Sequence, residues 1–253
     1  MKRFSFIIIA AVAMFFTACS TKQISTRLLC YNVRNCMGLD GVQDFERVAK
    51  IITDADADAV AIQELDSMTT RYPGKDVLAE LAALTGMYPT FAPSIDYKGG
   101  KYGIGMLTKE KPISYRRVPL PCRSEPRSLL IVELQDYYYC CTHLSLHEED
   151  RITSAGIIVE EFSKLDKPAL LAGDFNADPT SEFMKIMGEH FLVFKKTDGE
   201  GFTFRADKPF SEIDYICLFT DKGAKAEVTS HTVINAPVES DHRPIVADMV
   251  ITE

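Results

Sequence analysis

The sequence predicts an α/β (α+β) fold in which two packed β-sheets are covered by helices. Many short apolar runs of strand length recur along the chain, and a few segments of helical spacing lie between them. No Gly-rich loop follows the first apolar run, which removes support from the competing doubly wound nucleotide-binding fold.

The elements are expected in this order. Residues 27–33 read as a strand. Residues 44–53 read as a helix, because Phe45, Val48, Ile51 and Ile52 recur at helical spacing. A strand at 59–65 precedes a helix at 76–85, which starts on an acid and is stopped by Gly86. Strands are expected at 88–93, 103–108, 113–118 and 129–135, then at 137–143, a run dense in Tyr and Cys. The longest helix is expected at 148–164, with Ile152, Ala155, Ile158, Val159 and Phe162 on one face. A strand at 168–176, a short helix at 180–187, and strands at 203–205, 212–218, 226–231 and 244–251 follow. No repeat or linker divides the chain, so residues 26–252 are expected to form one domain.

The first residues stand apart. Lys2 and Arg3 precede an apolar run from Phe6 to Phe16, too short to span a bilayer comfortably. Phe16-Thr17-Ala18 then leads into Cys19 and a polar stretch. This resembles a bacterial lipoprotein signal, although Phe16 stands where Leu is commoner. The resemblance implies a signal peptide at 1–18, lipidation of Cys19 and a short tether over 19–25. It also implies an exported protein, lipid-anchored to a membrane of the bacterial cell envelope. An ordinary secretory leader with an incidental cysteine is the alternative.

The chain carries 28 basic and 36 acidic residues, a net charge of −8, which gives no general support for nucleic-acid binding. Cys30, Cys140, Cys141 and Cys217 lie inside apolar runs, and no CxxC pair occurs. They are read as core residues rather than a zinc site. No protein partner is inferred, and a monomer is expected.

The chemistry is concentrated at strand ends. Leu28-Leu29-Cys30-Tyr31 runs into Asn32, and Val60-Ala61-Ile62 runs into Gln63-Glu64. Tyr139-Cys140-Cys141-Thr142 runs into His143, and the run 169–173 ends in Asp174-Phe175-Asn176. Asp241-His242 comes just before the last strand, and Asp214 sits within Ile213-Asp214-Tyr215. Asp and Asn are disfavoured in strands, and a carboxylate beside a buried run is costly unless paired or metal-bound. One such residue is usually a turn cap; five such strand ends point to one convergent site. A hard divalent cation prefers carboxylate and amide oxygens. Glu64 is therefore the expected main ligand, supported by Asn32 and Asp241, with Mg²⁺ the expected ion and Mn²⁺ the alternative. His242 is expected to take a proton from the attacking water, oriented by Asp214. Asp174 and Asn176, two apart on a strand, are expected to share a face, positioning water and holding a phosphate oxygen. His143, if protonated, would stabilise phosphoryl charge.

These segments, with Ser240-Asp241-His242-Arg243-Pro244 and Cys30-Tyr31-Asn32-Val33-Arg34, resemble the endonuclease/exonuclease/phosphatase superfamily, in its order and over nearly the whole chain. The resemblance implies a four-layer αββα sandwich, two mixed sheets between helices. It implies Mg²⁺-dependent attack by water, with Glu64 on the metal and a His242–Asp214 pair. It also points to Arg127 as a substrate-binding residue.

Other motifs fall away. Asp54, Asp56 and Asp58 alternate like a calcium loop, but Ala59 and Leu65 occupy the positions that need Gly and Glu. Gly99-Gly100-Lys101 lacks the spacing of a phosphate loop and is read as a flexible loop beside the site. His147, His190 and His231 have no matching motif and are expected at surface or helix positions. Residues 98–127 carry eight basic and two acidic residues. They are either solvated strand edges or a rim that attracts an anionic substrate. The expected activity is phosphodiester or phosphomonoester hydrolysis on a small or lipid-linked substrate outside the cytoplasm. The alternatives are an exported nuclease of the same fold and, less favoured, a non-catalytic surface-binding lipoprotein.

Overall fold

The computed structural model describes residues 22–71, 73–197 and 199–252. Its elements are β1 (Gln23–Asn32), α1 (Phe45–Ala55), β2 (Ala59–Ser67), α2 (Val77–Thr85), β3 (Tyr88–Tyr97), β4 (Gly100–Thr108), β5 (Ser114–Leu120), β6 (Arg127–Glu133), β7 (Tyr138–His143) and α3 (Glu148–Ser163). They continue with β8 (Ala169–Asp174), α4 (Glu182–His190), β9 (Phe191–Val193), β10 (Asp214–Phe219), β11 (Lys225–Val233) and β12 (Ile245–Thr252). The strands form two six-stranded sheets, in the orders β11-β12-β1-β2-β4-β3 and β5-β6-β7-β8-β10-β9.

Three apolar layers hold four structural layers together. Leu28, Cys30, Ala61, Met106, Cys141 and Ile216 pack between the sheets. Val48 and Ile52 of α1 and Leu81 of α2 close over Tyr31 and Ile62 of the first sheet. Ile158 and Phe162 of α3, and Phe183 and Met187 of α4, cover Leu171 and Tyr215 of the second. This is the expected αββα sandwich, and both sheets are mixed.

The topology explains why scattered residues meet. β1 and β2 are parallel neighbours joined through α1, and β7 and β8 are parallel neighbours joined through α3. Their C-terminal ends lie at one end of each sheet. β12 runs antiparallel to β1, and β10 antiparallel to β8. The N-terminal ends of β10 and β12 therefore reach the same end of the molecule, which gathers the polar residues of all six strands.

Local chemistry fixes the helix boundaries. The carboxylates of Asp44 and Asp76 accept the N–H groups of Arg47 and Ala79, capping α1 and α2. Each cap contributes about 1 kcal/mol. α1 ends at Asp56 and α2 at Gly86, both in the left-handed region.

Several boundaries depart from expectation. The loop around Gly99 is a tight hairpin turn, with φ of 42° at Lys98 and 80° at Gly99, and it extends β3 and β4 towards each other. No strand forms at 203–205; Phe204 makes single bridges to Ser211 and His242. The short β9 went unforeseen because it is only three residues long. Cys30, Cys36, Cys140, Cys141 and Cys217 are buried and Cys122 half-buried, all as free thiols. The signal segment 1–18 and Cys19 lie outside the described residues, and the expected tether is already strand from Gln23 onwards. Among the described residues, no helix is long and apolar enough to cross a membrane.

Candidate active site

Asn32, the last residue of β1, joins the two sheets. Its Nδ2 donates to Glu64 Oε1 and to Asp174 Oδ2, each at 3.1 Å, while its Oδ1 accepts the N–H of Arg34 at 3.1 Å. The backbone contact fixes which end of the amide faces the carboxylates. Asn32 is expected on a cation, but here its nitrogen rather than its oxygen faces Glu64. In this arrangement Asn32 aims the Glu64 carboxylate. The Ser240 hydroxyl donates to the Asn32 carbonyl at 2.7 Å and anchors the segment that carries Asp241 and His242.

Glu64 reaches the site through irregular backbone. The β2–β4 register shifts between Ile62 and Leu65, and Glu64 has φ of 60°. Such a bulge re-aims a side chain out of the pleat, at a conformational cost that non-glycine residues rarely bear. Burial raises the Glu64 carboxyl above its ordinary range, the Asn32 hydrogen bond opposes this, and the Asp241 charge adds to it.

The second sheet supplies its residues from regular strand ends. His143 and Asp174 are paired across β7 and β8, and Asp174 and Asp214 across β8 and β10. His242 donates Nδ1–H to Asp214 Oδ2 at 2.9 Å, and its Nε2 lies 3.6 Å from Asp174 Oδ2. His143 Nε2 lies 3.4 Å from the same oxygen. Arg127 Nη1 stands 3.3 Å from His143 Nδ1 and 2.7 Å from Glu125 Oε1. A guanidinium only donates, so His143 Nδ1 accepts and its proton sits on Nε2, facing Asp174.

Two expected protonation states change. Burial drives His143 well below its ordinary range, reinforced by the Arg127 and His242 charges, so it is neutral rather than protonated. Burial also pulls His242 down, but the Asp214 and Asp174 charges outweigh it and push it up to about 10. Asp174 is pushed up to about 7 by burial, with the His242 charge opposing and Asp214 reinforcing. The two acids thus favour the imidazolium of His242, and burial favours the protonated form of Asp174.

Asp174, Asp214 and His242 each place one ligand-type atom within 4.8 Å of the others. This compact group is internally compensated, because both imidazole nitrogens face carboxylates. Glu64 is different: among the described residues its side chain meets an amide and no ion-paired cation. A carboxylate raised by burial and by a second acid fits a divalent cation better than the compensated group does.

Of the remaining expected residues, Asn176 does not share a strand face with Asp174. β8 ends at Asp174, and Asn176 turns into the left-handed region with its Nδ2 on the Leu144 carbonyl at 3.1 Å. Much of the basic stretch 98–127 is tied up in ion pairs, although among the described residues Lys98, Lys111 and Arg117 are exposed and in none. Lys101 pairs with Asp96, Lys109 with Asp56 and Asp58, Arg116 with Glu161, and Arg123 with Glu149 and Asp150. Arg127 does reach the site. His231 is fully buried in β11 rather than at the surface. Residues missed from sequence include Phe204, whose ring lies 5.0 Å from His242, and Arg34, whose Nε lies 3.6 Å from Asp241 Oδ2. Nothing near Phe204 signals its position. Arg34 closes the Cys30–Arg34 motif, and its positive charge next to Asn32 is the signal that marks it.

The profile of the Endonuclease/Exonuclease/phosphatase family matches residues 29–242, most of the chain and every strand end described above. The chain belongs to this family. It is thus placed among hydrolases of phosphoester bonds, phosphatases and nucleases alike. No curated protein matches it in sequence. The fold resembles an endonuclease/exonuclease/phosphatase from Beutenbergia cavernae (23% identity, 89% of this chain and 71% of that one, TM-score 0.72). It also resembles a mannosyl-6-phosphatase from Bacteroides thetaiotaomicron (18% identity, 89% and 99% coverage, TM-score 0.73). The human Nocturnin catalytic domain with bound sulfate shares it too (17% identity, 92% and 98% coverage, TM-score 0.68).

Proposed function

We propose that this family member is a divalent-cation-dependent phosphoesterase. In this reading it hydrolyses a phosphodiester or phosphomonoester of a small or lipid-linked substrate, outside the cytoplasm, from a lipid anchor at Cys19. The observation that carries the catalytic reading is Asn32, which ties Glu64 to Asp174 beside the His242–Asp214 pair.

Glu64, with Asp241 nearby, would hold Mg²⁺ or Mn²⁺. The ion supplies Lewis-acid stabilisation of phosphoryl and leaving-group oxygens. Water attacks phosphorus as its proton passes to Asp174 Oδ2, and the ester P–O bond breaks. Asn32 donates to that oxygen and holds it in place, with the His143 Nε2 3.4 Å away. The His242 imidazolium, fixed by Asp214, offsets charge gathering on the phosphoryl oxygens. Arg127 keeps His143 in the tautomer that faces Asp174 and approaches the substrate from that side. A nuclease would need an extended basic face, and five of the eight basic residues of 98–127 are ion-paired with acids, which favours the smaller substrate. A non-catalytic surface-binding lipoprotein has less support, because it gives no reason for Asp174 and His242 to be held apart from their ordinary protonation ranges.

The test is turnover by the domain starting at Ser20, with Mg²⁺, on bis-p-nitrophenyl phosphate, plasmid DNA, sphingomyelin and inositol phosphates. His242→Ala and Glu64→Ala are each expected to reduce kcat by about a hundredfold or more with little change in thermal midpoint. Full activity in either variant, or in excess chelator, would overturn the mechanism. Preferential cleavage of DNA would favour the nuclease instead.

A further inference from the structure

The chain leaves β1 through a turn that its residue types do not favour. Arg34, Asn35 and Cys36 have φ of 46°, 56° and 58°, three consecutive non-glycine residues in the left-handed region. The turn is held from several sides. Asn35 Oδ1 accepts the Asp66 N–H at 2.6 Å, Gln43 Nε2 donates to the Asn35 carbonyl at 2.9 Å, and Cys36 is buried. The Arg34 N–H is itself taken by Asn32 Oδ1. Strain this firmly maintained is characteristic of functional segments.

What the turn presents is the Arg34 guanidinium. Its side chain is 40% exposed, and its Nε lies 3.6 Å from Asp241 Oδ2, beyond hydrogen-bond length. Among the described residues, no hydrogen bond occupies its terminal nitrogens. From the other sheet comes Arg127, whose buried Nε has no partner. Arg34 stands at Asp241, next in sequence to His242, and Arg127 stands at His143. Arg34 follows β1 of the first sheet and Arg127 opens β6 of the second, so each sheet brings one guanidinium to a residue of the site.

We propose that Arg34 is a specificity-determining residue that, together with Arg127, selects a terminal phosphomonoester dianion over a diester. The proposal rests on the phosphoesterase reading and names the substrate class of that site. A monoester carries a charge near −2 at neutral pH and three terminal oxygens. A diester carries a single charge and two. The third oxygen and the extra charge need another donor, and a guanidinium offers paired N–H groups in a fixed fork. Arg34 is the accessible group in the site with donors to spare.

The test compares p-nitrophenyl phosphate with bis-p-nitrophenyl phosphate, using Mg²⁺ and the domain from Ser20, with inorganic phosphate as inhibitor. Arg34→Gln is expected to raise KM for the monoester and Ki for phosphate by about ten- to a hundredfold, as for loss of a charged hydrogen bond. The monoester-to-diester ratio of kcat/KM is expected to fall by about tenfold or more. Arg34→Lys should recover part of the charge but not the fork, giving an intermediate Ki. Equal losses on both esters, or an unchanged Ki, would overturn the proposal. If the unaltered domain turns over neither ester, the phosphoesterase reading fails. Calorimetric binding of phosphate, with and without Arg34→Gln, judges Arg34 separately.

Discussion

The two sheets contribute to the site in different ways. The second presents Arg127, His143, Asp174 and Asp214 from the ends of regular strands, where pairing alone sets their positions. The first presents Glu64 from a bulge with positive φ and Arg34 from a left-handed turn. One half of the site is placed by topology and the other by local distortion. The difference separates the two tasks: the regular half holds Asp174, Asp214 and His143, against which the segment before β12 sets His242, whereas the distorted positions point groups at something the chain itself does not supply.

That contrast can be broken experimentally, and the largest effect concerns rate. With Asp174 pushed up to about 7 and His242 to about 10, turnover should rise roughly tenfold per pH unit below 7. It should level off above 7 and fall again towards 10, as His242 loses its proton. A profile governed by a single group near 6.5 would restore His242 as the base and dissolve the division of roles between Asp174 and His242.

The next effect concerns stability. The His242 pKa is raised from 6.5, so its stabilising contribution is fully present below pH 6.5 and lost as pH climbs through about 10. Asp174 is raised from 3.8, so the stability its protonated form contributes is present below 3.8 and lost as pH climbs through about 7. Denaturation midpoints should therefore fall between pH 6.5 and 10, and fall less steeply in His242→Gln. Identical slopes in the two proteins would show that the pair is not coupled to folding.

The smallest effect is the most diagnostic of the contrast. Glu64→Gly should abolish turnover yet stabilise the fold by about 1 kcal/mol, because glycine tolerates φ of 60°. Asp174→Gly, in regular strand, should destabilise by a similar amount or more. Melting curves of both variants decide it; a loss of stability in Glu64→Gly would show that the bulge stores no strain.

Much of this was legible in the sequence because it follows from periodicity. An apolar run that ends in Asp174 or His143 states both the strand and its exit, and the sandwich follows from many such runs. Glu64 was found in the same way, but its bulge was not, because a one-residue slip leaves no trace in composition. Asn176 shows the reverse error: two-residue spacing predicts a shared face only while the strand continues, and β8 stops at Asp174. The basic stretch stayed open between edge and rim because local charge counts ignore partners brought from afar, such as Glu161 on α3 for Arg116. Protonation states were illegible for the same reason, since they depend on which acids the fold sets against each imidazole.

β1 has one more consequence. It is ten residues long and third in its sheet of six, entering at Gln23 and ending in the site at Asn32. At about 3.3 Å per residue the two ends are about 30 Å apart. A lipid on Cys19 would sit only four positions before Gln23, within about 14 Å of it. A lipid at that position would tether the domain by the pole opposite the one where Asn32 meets Glu64 and Asp174.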